Sequence, residues 1–480
     1  MTNADRKPVL ILILVGYALL GSLYAVLTPA WQVPDEPAHY NYIRHLAEEK
    51  RLPRLEAGDY SQALIEQLLT DRFPPSAPLD ELRYENHQPP LYYLLAVPVY
   101  QLSNGSLTIL RLFSLVLASG IILLAYAVTR LIYPHQPLIA FGASAFIAFL
   151  PQHNAMMAGV NNDGLAGLFS AALLLLSVRI VQGTFNGFRH VLVAGVVLGL
   201  GLLTKTTVYP MAALVLAALC GRWWSRGDVP LRHLVAQLMV VLAAALLIAA
   251  PWWIRNAMVY GWPDLLGLIR HDLVVEGQVR TTDWIGEHGW WSWFNHWLTS
   301  TIQSFWGQFG WMSAPMDFRA YYAFALVTAL ALVGCALPES QLPRWKGAPG
   351  IYLLVLQFVL ALLAYLAYNA VFIQPQGRYL FPAVIPVATV FAFGLYRLSA
   401  WPRRVSFALL IFMLLMVAHG LVRADVKGWY VLITACFAIA LWIVSLQPRR
   451  RPIGMYTVAF GALFLTNLHA IFLSPLHALG

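Results

Sequence analysis

The chain has 480 residues, of which 59% are hydrophobic and only 11% are charged, with a formal net charge of +9. A soluble protein of this length would carry about twice that charged fraction, and repeated uncharged stretches of about 18 residues or more predict a helical membrane protein with many spans. The basic residues stand in short clusters between apolar stretches, which is typical of the positive-inside distribution, so no nucleic-acid partner is expected. The three cysteines fit neither a disulfide framework nor a zinc site.

The apolar segments predict thirteen membrane spans. The first, residues 8–28, follows Arg6 and Lys7 and is predicted to cross outward as a retained helix. The segment 89–102 has only fourteen residues and three prolines, whereas a span needs about 20 residues, so it is predicted to lie along the membrane interface. The other spans are predicted at residues 108–132, 137–152, 162–182, 190–204, 206–220, 232–254, 319–338, 350–372, 379–396, 405–422, 429–446 and 454–474.

This register puts the N-terminus in the cytoplasm and the C-terminus outside, and it makes two large loops, residues 29–107 and 255–318, extracytoplasmic. A spanning segment 89–102 would instead move the later basic clusters outside, against the positive-inside rule. Those clusters are Arg189, the group Arg222, Arg226 and Arg232, the pair Arg344 and Lys346, the group Arg397, Arg403 and Arg404, and Arg449–Arg451. The short cytoplasmic connections carry no nucleotide-binding motif, so any chemistry is expected outside, where nucleotide-activated donors are not available.

The first loop opens with WQVPDEPAHY, which places Asp35 and Glu36 just before Pro37, with His39 and Tyr40 one turn further on. Pro37 favours the first turn of a helix over about 37–50, and the helix N-terminus stabilises ionised carboxylates. An ionised carboxylate that faces a cleft near the membrane takes a proton from an acceptor hydroxyl or amine. The alternative is a simple helix cap on a solvated loop.

Other polar residues are predicted on the same face. They are Glu85, Asn86, His87 and Gln88 before the interfacial helix, Arg111 at the outer end of the span 108–132, and His153, Asn161, Asn162 and Asp163 in an outer turn. Each also fits an ordinary loop position. Because no tight ligand spacing accompanies the histidines, no metal ligand and no cofactor is assigned, and a divalent metal is left open.

Three cations suit a phosphate on that face. Lys205 is predicted at the outer turn of a shallow hairpin. Inserting a lysine at membrane depth costs roughly 2.5–3.5 kcal/mol on insertion scales, so the side chain needs a partner such as a lipid phosphate. The alternative is that its ammonium extends to the head groups. Arg378 and Arg255 stand at the outer ends of their helices, and the guanidinium fork matches phosphate oxygens. The outer face thus combines acids for base chemistry with cations for a phosphate.

In chain order, WQVPDEPAHY, HQPPLYYLL, the NND turn, LLTK, PWWIRN, SFWGQFGW and GRYLFP resemble the landmarks of GT-C membrane glycosyltransferases. The bacterial members related to protein O-mannosyltransferases and the lipid A aminoarabinose transferase are the most similar. The resemblance implies an all-α GT-C catalytic core over 1–400 and variable transmembrane helices over 401–480. It also implies an enzyme of the bacterial plasma membrane that moves a sugar from a polyprenyl-phosphate carrier, with inversion, to a glycan, lipid or protein acceptor outside.

The resemblance further implies residue roles. Asp35, with Glu36 beside it, is the catalytic base or stabiliser, the segment Glu85–Gln88 contributes to the pocket, and Lys205 contacts the donor phosphate. We add Arg378, Arg255 and Arg111 as phosphate candidates, and His39, Tyr40, His153 and Asp163 as pocket candidates. This chain has His87 and Gln88 where aminoarabinose transferase relatives place a Glu-Lys pair, and His39 near where they carry an arginine.

Other functional classes share some of these features. A polysaccharide ligase or polymerase with a polyprenyl-diphosphate donor would share the outward cations. A lipid or solute transporter should show repeated halves with broken helices near the midplane, whereas the polar residues here gather on one face. A non-catalytic scaffold has no need of Lys205 at membrane depth.

Overall fold

The structure is a computed structural model that describes residues 3–185, 187–227, 230–275, 277–337, 350–423 and 427–472. It is helical apart from a short antiparallel pair, β1 Gln308–Phe309 and β2 Ala314–Pro315. In chain order the helices are α1 Asn3–Leu27, α2 Glu36–Glu49, α3 Gln62–Thr70, α4 Leu91–Leu102, α5 Leu107–Ile132, α6 Pro137–Ala148, α7 Pro151–Met157, α8 Asp163–Gln182, α9 Phe188–Leu202, α10 Met211–Arg226, α11 Leu231–Tyr260, α12 Leu268–Val274, α13 Thr281–His288, α14 Trp290–Trp306, α15 Phe318–Ala336, α16 Ile351–Val371, α17 Val384–Leu398, α18 Pro402–Val422, α19 Gly428–Ser445 and α20 Arg451–Phe472. Short 3₁₀ helices are formed by Leu79–Glu81, Tyr84–His87, Thr206–Val208, Gly377–Ala383 and Pro448–Arg450.

Ten of the described helical segments are long and apolar enough to cross a membrane, which confirms the polytopic all-α prediction. The predicted segments 137–152, 190–204 and 206–220 form α6, α9 and α10, which have 12, 15 and 16 residues. Since these are shorter than the roughly 20 residues of a full span, the count of thirteen stays a prediction. The predicted cluster of Arg344 and Lys346 lies outside the described residues.

The first large loop folds into its own packed layer. Pro37 occupies the first turn of α2, as its fixed φ favours, and the apolar face of α2 packs against α4. Tyr42 and Tyr93 stack with ring centroids 3.7 Å apart, and both are fully buried. This layer fixes the position of the residues just before α2. The short α4 agrees with the predicted helix at 89–102 that does not span.

The second large loop brings α14 against the 3₁₀ helix Gly377–Ala383. A Cβ at Gly377 would collide with the backbone of Thr301 and Phe305, so only glycine permits this approach. The Gly377 amide also donates a hydrogen bond of 2.7 Å to Ser304 Oγ. The contact sets the position of the next residue, Arg378, at the end of the bundle where both loops lie.

Candidate active site

Asp35 and Arg378 form the centre of the site. Asp35 Oδ2 lies 2.7 Å from Arg378 Nη2, and Asp35 Oδ1 accepts a hydrogen bond of 3.0 Å from the Tyr84 hydroxyl. Asp35 has a φ of 67°, a left-handed conformation that is uncommon outside glycine and that recurs at functional sites. The turn before α2 thus holds the carboxylate against a cation from a distant segment.

The carboxyl of Asp35 is held in its ionised form. Burial raises the pKa of its carboxyl, but the charge of Arg378 and the hydrogen bonds from Arg378 and Tyr84 outweigh burial. The pKa of Asp35 therefore lies below its ordinary value. Because the group is ionised at neutral pH, it is able to accept a proton.

Lys205 and Asp163 form a second ion pair nearby. Lys205 Nζ lies 2.5 Å from Asp163 Oδ1, and the lysine side chain is only 15% exposed. Burial lowers the pKa of Lys205, but Asp163 and Glu85 outweigh it and hold the pKa above its ordinary value. The ammonium stays charged, and the partner that its depth required is Asp163 in the first turn of α8.

A polar cavity of about 420 Å³ opens beside Asp35. Its lining combines the acids Asp35 and Glu85 with amide and aromatic side chains. The amides are Gln62, Gln278, Gln308, Gln374 and Gln376, and the aromatic residues are Tyr60, Tyr84, His271, His296, Trp311, Tyr368 and Tyr379. Amides that hydrogen-bond hydroxyls beside flat apolar rings are the side chains that a sugar requires.

A narrower cavity of about 30 Å³ is also lined by Arg378. Its walls include Ile121, Met157, Ala166, Gly167, Phe381 and Pro382, with His153 and Asp163 among the polar lining residues. Arg378 and Tyr379 line both cavities. Arg378 therefore borders both a polar cavity and a narrow cleft that is partly apolar.

Glu85 faces the polar cavity, as the sequence predicted for its segment. Burial raises the pKa of its carboxyl. Its Oε2 atom has no hydrogen-bond partner among the described residues. Glu85 is thus an acid with capacity left for a ligand hydroxyl.

The predicted histidines lie in and under the cavity walls. His39 Nδ1 lies 2.8 Å from the Tyr93 hydroxyl, and burial lowers the pKa of His39. His87 packs on His271, with ring centroids 4.4 Å apart, and burial lowers the pKa of His87 to about 4. Burial also lowers the pKa of His153 to about 3. These rings are neutral at pH 7, so they supply shape and hydrogen bonds instead of charge.

Gln88 connects the first loop to the turn before α8. Its Oε1 accepts a hydrogen bond of 3.3 Å from Asn162 Nδ2, which also donates to the Thr204 carbonyl at 3.2 Å. Asn161 Oδ1 in turn accepts from the Asp163 amide at 3.0 Å. The NND turn therefore positions the pair of Lys205 and Asp163 relative to the cavity.

Glu36 and Arg111 form a buried ion pair with each other and do not face the cavities, contrary to the prediction. Glu36 is fully buried and binds Arg111 through both carboxylate oxygens, at 2.8 and 2.6 Å. The remaining Arg111 donors are taken by backbone carbonyls of Ala25, Thr28 and Pro29. Arg111 has no donor left for a phosphate, and Glu36 lines neither cavity, so the roles predicted for both are corrected to a structural one.

Arg255 and Tyr40 also need correction. The predicted helix 232–254 continues to Tyr260, so Arg255 lies inside α11, donates to the carbonyl of Pro53 and lies over the ring of Trp252. It ties the first loop to α11 instead of facing the cavity. The Tyr40 hydroxyl donates to the Gly105 carbonyl at 2.8 Å, away from the cavity.

Sequence reasoning missed much of the cavity wall. Tyr84 and Tyr379 adjoin predicted residues, and Gln308 and Trp311 lie in the aromatic stretch FWGQFGW, so these had a local signal. His271 and His296 come from α12 and α14, and no motif distinguished them. Within the described residues no three His, Cys, Asp or Glu side chains converge on a metal site, so no metal ligand is assigned.

The chain is similar to one protein family and to several solved structures. The family model described as dolichyl-phosphate-mannose-protein mannosyltransferase matches residues 87–254. Among solved structures, ArnT from Cupriavidus metallidurans bound to undecaprenyl phosphate matches with a TM-score of 0.55 at 14% identity, over 96% of this chain and 76% of that chain. The Archaeoglobus fulgidus oligosaccharyltransferase tethered with an acceptor peptide matches with a TM-score of 0.50 at 15% identity, over 95% of this chain and 55% of that chain. No curated protein gives a significant match.

Proposed function

The chain has the fold of the GT-C membrane glycosyltransferases, as its motifs predicted, and on that premise we propose that it transfers a sugar from a polyprenyl-phosphate carrier to an acceptor. The transfer takes place at the extracytoplasmic face of a bacterial plasma membrane and inverts the anomeric carbon. One observation carries the proposal: Arg378 and Tyr379 line both the polar cavity and the apolar cleft.

A lipid-linked sugar consists of a sugar, a phosphate and an isoprenoid chain, in that order. Its sugar suits the polar cavity and its phosphate falls at the junction beside Arg378, whereas the cleft of about 30 Å³ admits at most the phosphate-proximal end of the isoprenoid chain. Lys205, whose charge acts on Asp163 as that of Arg378 does, supplies a second positive charge. Two cations suit the charge of the phosphate monoester that leaves.

The reaction is a single displacement. Asp35 takes the proton from the acceptor hydroxyl or amine, the acceptor atom forms a bond to the anomeric carbon, and the bond from that carbon to the phosphate oxygen breaks. Polyprenyl phosphate leaves with the bonding electrons. Arg378 and Lys205 stabilise the negative charge that develops on it, which is an electrostatic contribution of about 3 kcal/mol or more in such sites.

The proposal also accounts for the resting ion pairs. Without a donor, each cation needs a counter-charge in a partly buried site, and Asp35 and Asp163 supply it. A donor phosphate competes with these carboxylates for the cations. Its binding to Arg378 would leave Asp35 free to face the acceptor.

The test is turnover by the full chain in nanodiscs with a panel of polyprenyl-phosphate-linked and polyprenyl-diphosphate-linked sugars and a membrane-extract acceptor. The proposal expects release of free polyprenyl phosphate from a monophosphate donor, loss of that release in Asp35→Asn, and a product of inverted anomeric configuration by NMR. Turnover of diphosphate donors alone would indicate the ligase or polymerase class instead. Absence of turnover for every donor and extract would contradict the proposal.

A further inference from the structure

A separate cavity lies at the end of the bundle opposite to Asp35. It has a volume of about 120 Å³ and lies where α8 and α10 end and where α9 and α11 begin. Asp163 starts α8 beside Lys205, and the helix has 20 residues, so the two ends are about 30 Å apart at 1.5 Å per residue. This cavity is therefore independent of the proposed active site.

The chemistry of the cavity is apolar and cationic. Ile180, Leu219 and Leu234 line it together with Arg222 and Arg226, and the described residues that line it include no carboxylate. A partly open space that presents two arginines, with no acid among its described lining residues, favours an anionic ligand.

The two arginines differ in what holds them. The Arg222 guanidinium lies against Gly183, where any Cβ would collide with it, and it reaches the Val181 carbonyl at 3.5 Å. It therefore sits at the C-terminus of α8, where the helix dipole favours a cation. Arg226 forms no ion pair and no hydrogen bond with any of the residues that the structure describes, so its donors are available.

The residues near the cavity indicate that its ligand comes from the membrane. Phe188, Trp224 and Leu231, which are near the lining residues in sequence, are 66%, 81% and 59% exposed, and Arg189 and Arg232 beside them in sequence are also exposed. Aromatic residues beside arginines at the end of apolar helices are typical of a membrane interface. The cavity is smaller than the roughly 300–1,000 Å³ of ordinary small-molecule sites, so it suits one head-group phosphate, with the acyl chains outside against the exposed apolar side chains.

We propose that this cavity binds the phosphate of an anionic phospholipid in the leaflet opposite to the active site. Arg222 and Arg226 bind the phosphate oxygens, as basic pockets between transmembrane helices do for anionic head groups. The bound lipid would join the ends of α8, α9, α10 and α11. The opposite ends of these helices carry Asp163 and flank Lys205, so the lipid would stabilise the helices that position that pair.

The experiment is native mass spectrometry of the full chain released from phosphatidylcholine nanodiscs that contain phosphatidylglycerol as the minor lipid. The expected result is a retained phosphatidylglycerol adduct in the wild type that decreases several-fold in Arg222→Gln/Arg226→Gln. The matched control is Arg449→Gln/Arg450→Gln, which removes two exposed arginines that also lie on the predicted cytoplasmic side, and it should keep the adduct. The charge-conserving Arg226→Lys should keep most of it.

Equal retention in the wild type and the double variant would overturn the proposal, and so would equal retention of phosphatidylcholine and phosphatidylglycerol. If the double variant does not fold, because Arg222 also contacts the end of α8, Arg226→Gln alone replaces it. That single variant should still lose most of the adduct, and an unchanged adduct would contradict the site. A second readout is the melting temperature, which added phosphatidylglycerol should raise in the wild type and not in Arg226→Gln.

Discussion

Arg378 Nη2 and Asp35 Oδ2 are 2.7 Å apart although 343 positions separate the two residues in the chain. The pair joins the first large loop to the 3₁₀ helix before α17 and closes the wall between the polar cavity and the apolar cleft. In the proposed mechanism Arg378 contacts both the base and the leaving group, so donor binding determines whether the base is available.

Asp35→Asn should reduce the transfer rate by roughly 10²–10⁴-fold, the usual contribution of a positioned general base. Donor binding should survive or tighten, because the phosphate no longer competes with a carboxylate for Arg378. The measurement is turnover together with donor affinity. Asp80→Asn is the control, since that carboxylate pairs with Arg44 at the surface of the same loop and is 78% exposed. Wild-type turnover in Asp35→Asn would refute the base role.

Tyr84→Phe should move the acid limb of the kcat profile to higher pH. The Tyr84 hydroxyl donates to Asp35 Oδ1 and lowers the pKa of that carboxyl against the effect of burial. Without this hydrogen bond the pKa of Asp35 rises, so the base is lost at a higher pH as the solution is acidified. Tyr60→Phe serves as the control, because Tyr60 lines the same cavity but donates to Gln62. Superimposable profiles for the wild type and Tyr84→Phe would contradict the assignment.

Glu36→Gln should destabilise the fold by about 3–5 kcal/mol, because it leaves the Arg111 charge buried without its partner. Both side chains are at most 2% exposed. The expected readout is a lower melting temperature in detergent. Arg44→Gln breaks an ion pair whose side chains are 31% and 78% exposed and should cost only about 0–1 kcal/mol. A melting temperature for Glu36→Gln no lower than that of Arg44→Gln would show that the buried pair is not the structural anchor described above.

His153→Phe should weaken the loss of stability in acid. A histidine in the unfolded chain binds a proton near pH 6.5, whereas burial lowers the pKa of folded His153 to about 3. The unfolded state therefore binds more protons as the pH falls below about 6.5, and stability falls through that window. The variant should show a smaller drop in melting temperature between about pH 7 and pH 5. His135→Phe, at an exposed position, should follow the wild type, and an identical drop in His153→Phe would argue against a neutral buried ring.

The sequence predicted which residues share one end of the bundle better than it predicted their pairings. Apolar length and the positions of basic clusters are local properties, and they placed Asp35, Lys205 and Arg378 at one end of the bundle. Which cation pairs with which acid depends on packing between distant segments. The sequence therefore predicts a phosphate ligand at Arg111, whereas in the structure Glu36 and three carbonyls accept its hydrogen bonds. Arg255 was misplaced because α11 extends six residues beyond the predicted end at 254, which turns an apparent helix end into an interior position.

The most direct test of the central claim is the binding of polyprenyl phosphate to the full chain in nanodiscs, measured by native mass spectrometry. The account predicts selective binding over ordinary phospholipid, a large loss in Arg378→Ala and in Lys205→Ala, and retention in Asp35→Asn. Binding no stronger than that of phospholipid, or binding unchanged in both cation variants, would contradict the donor site at Arg378.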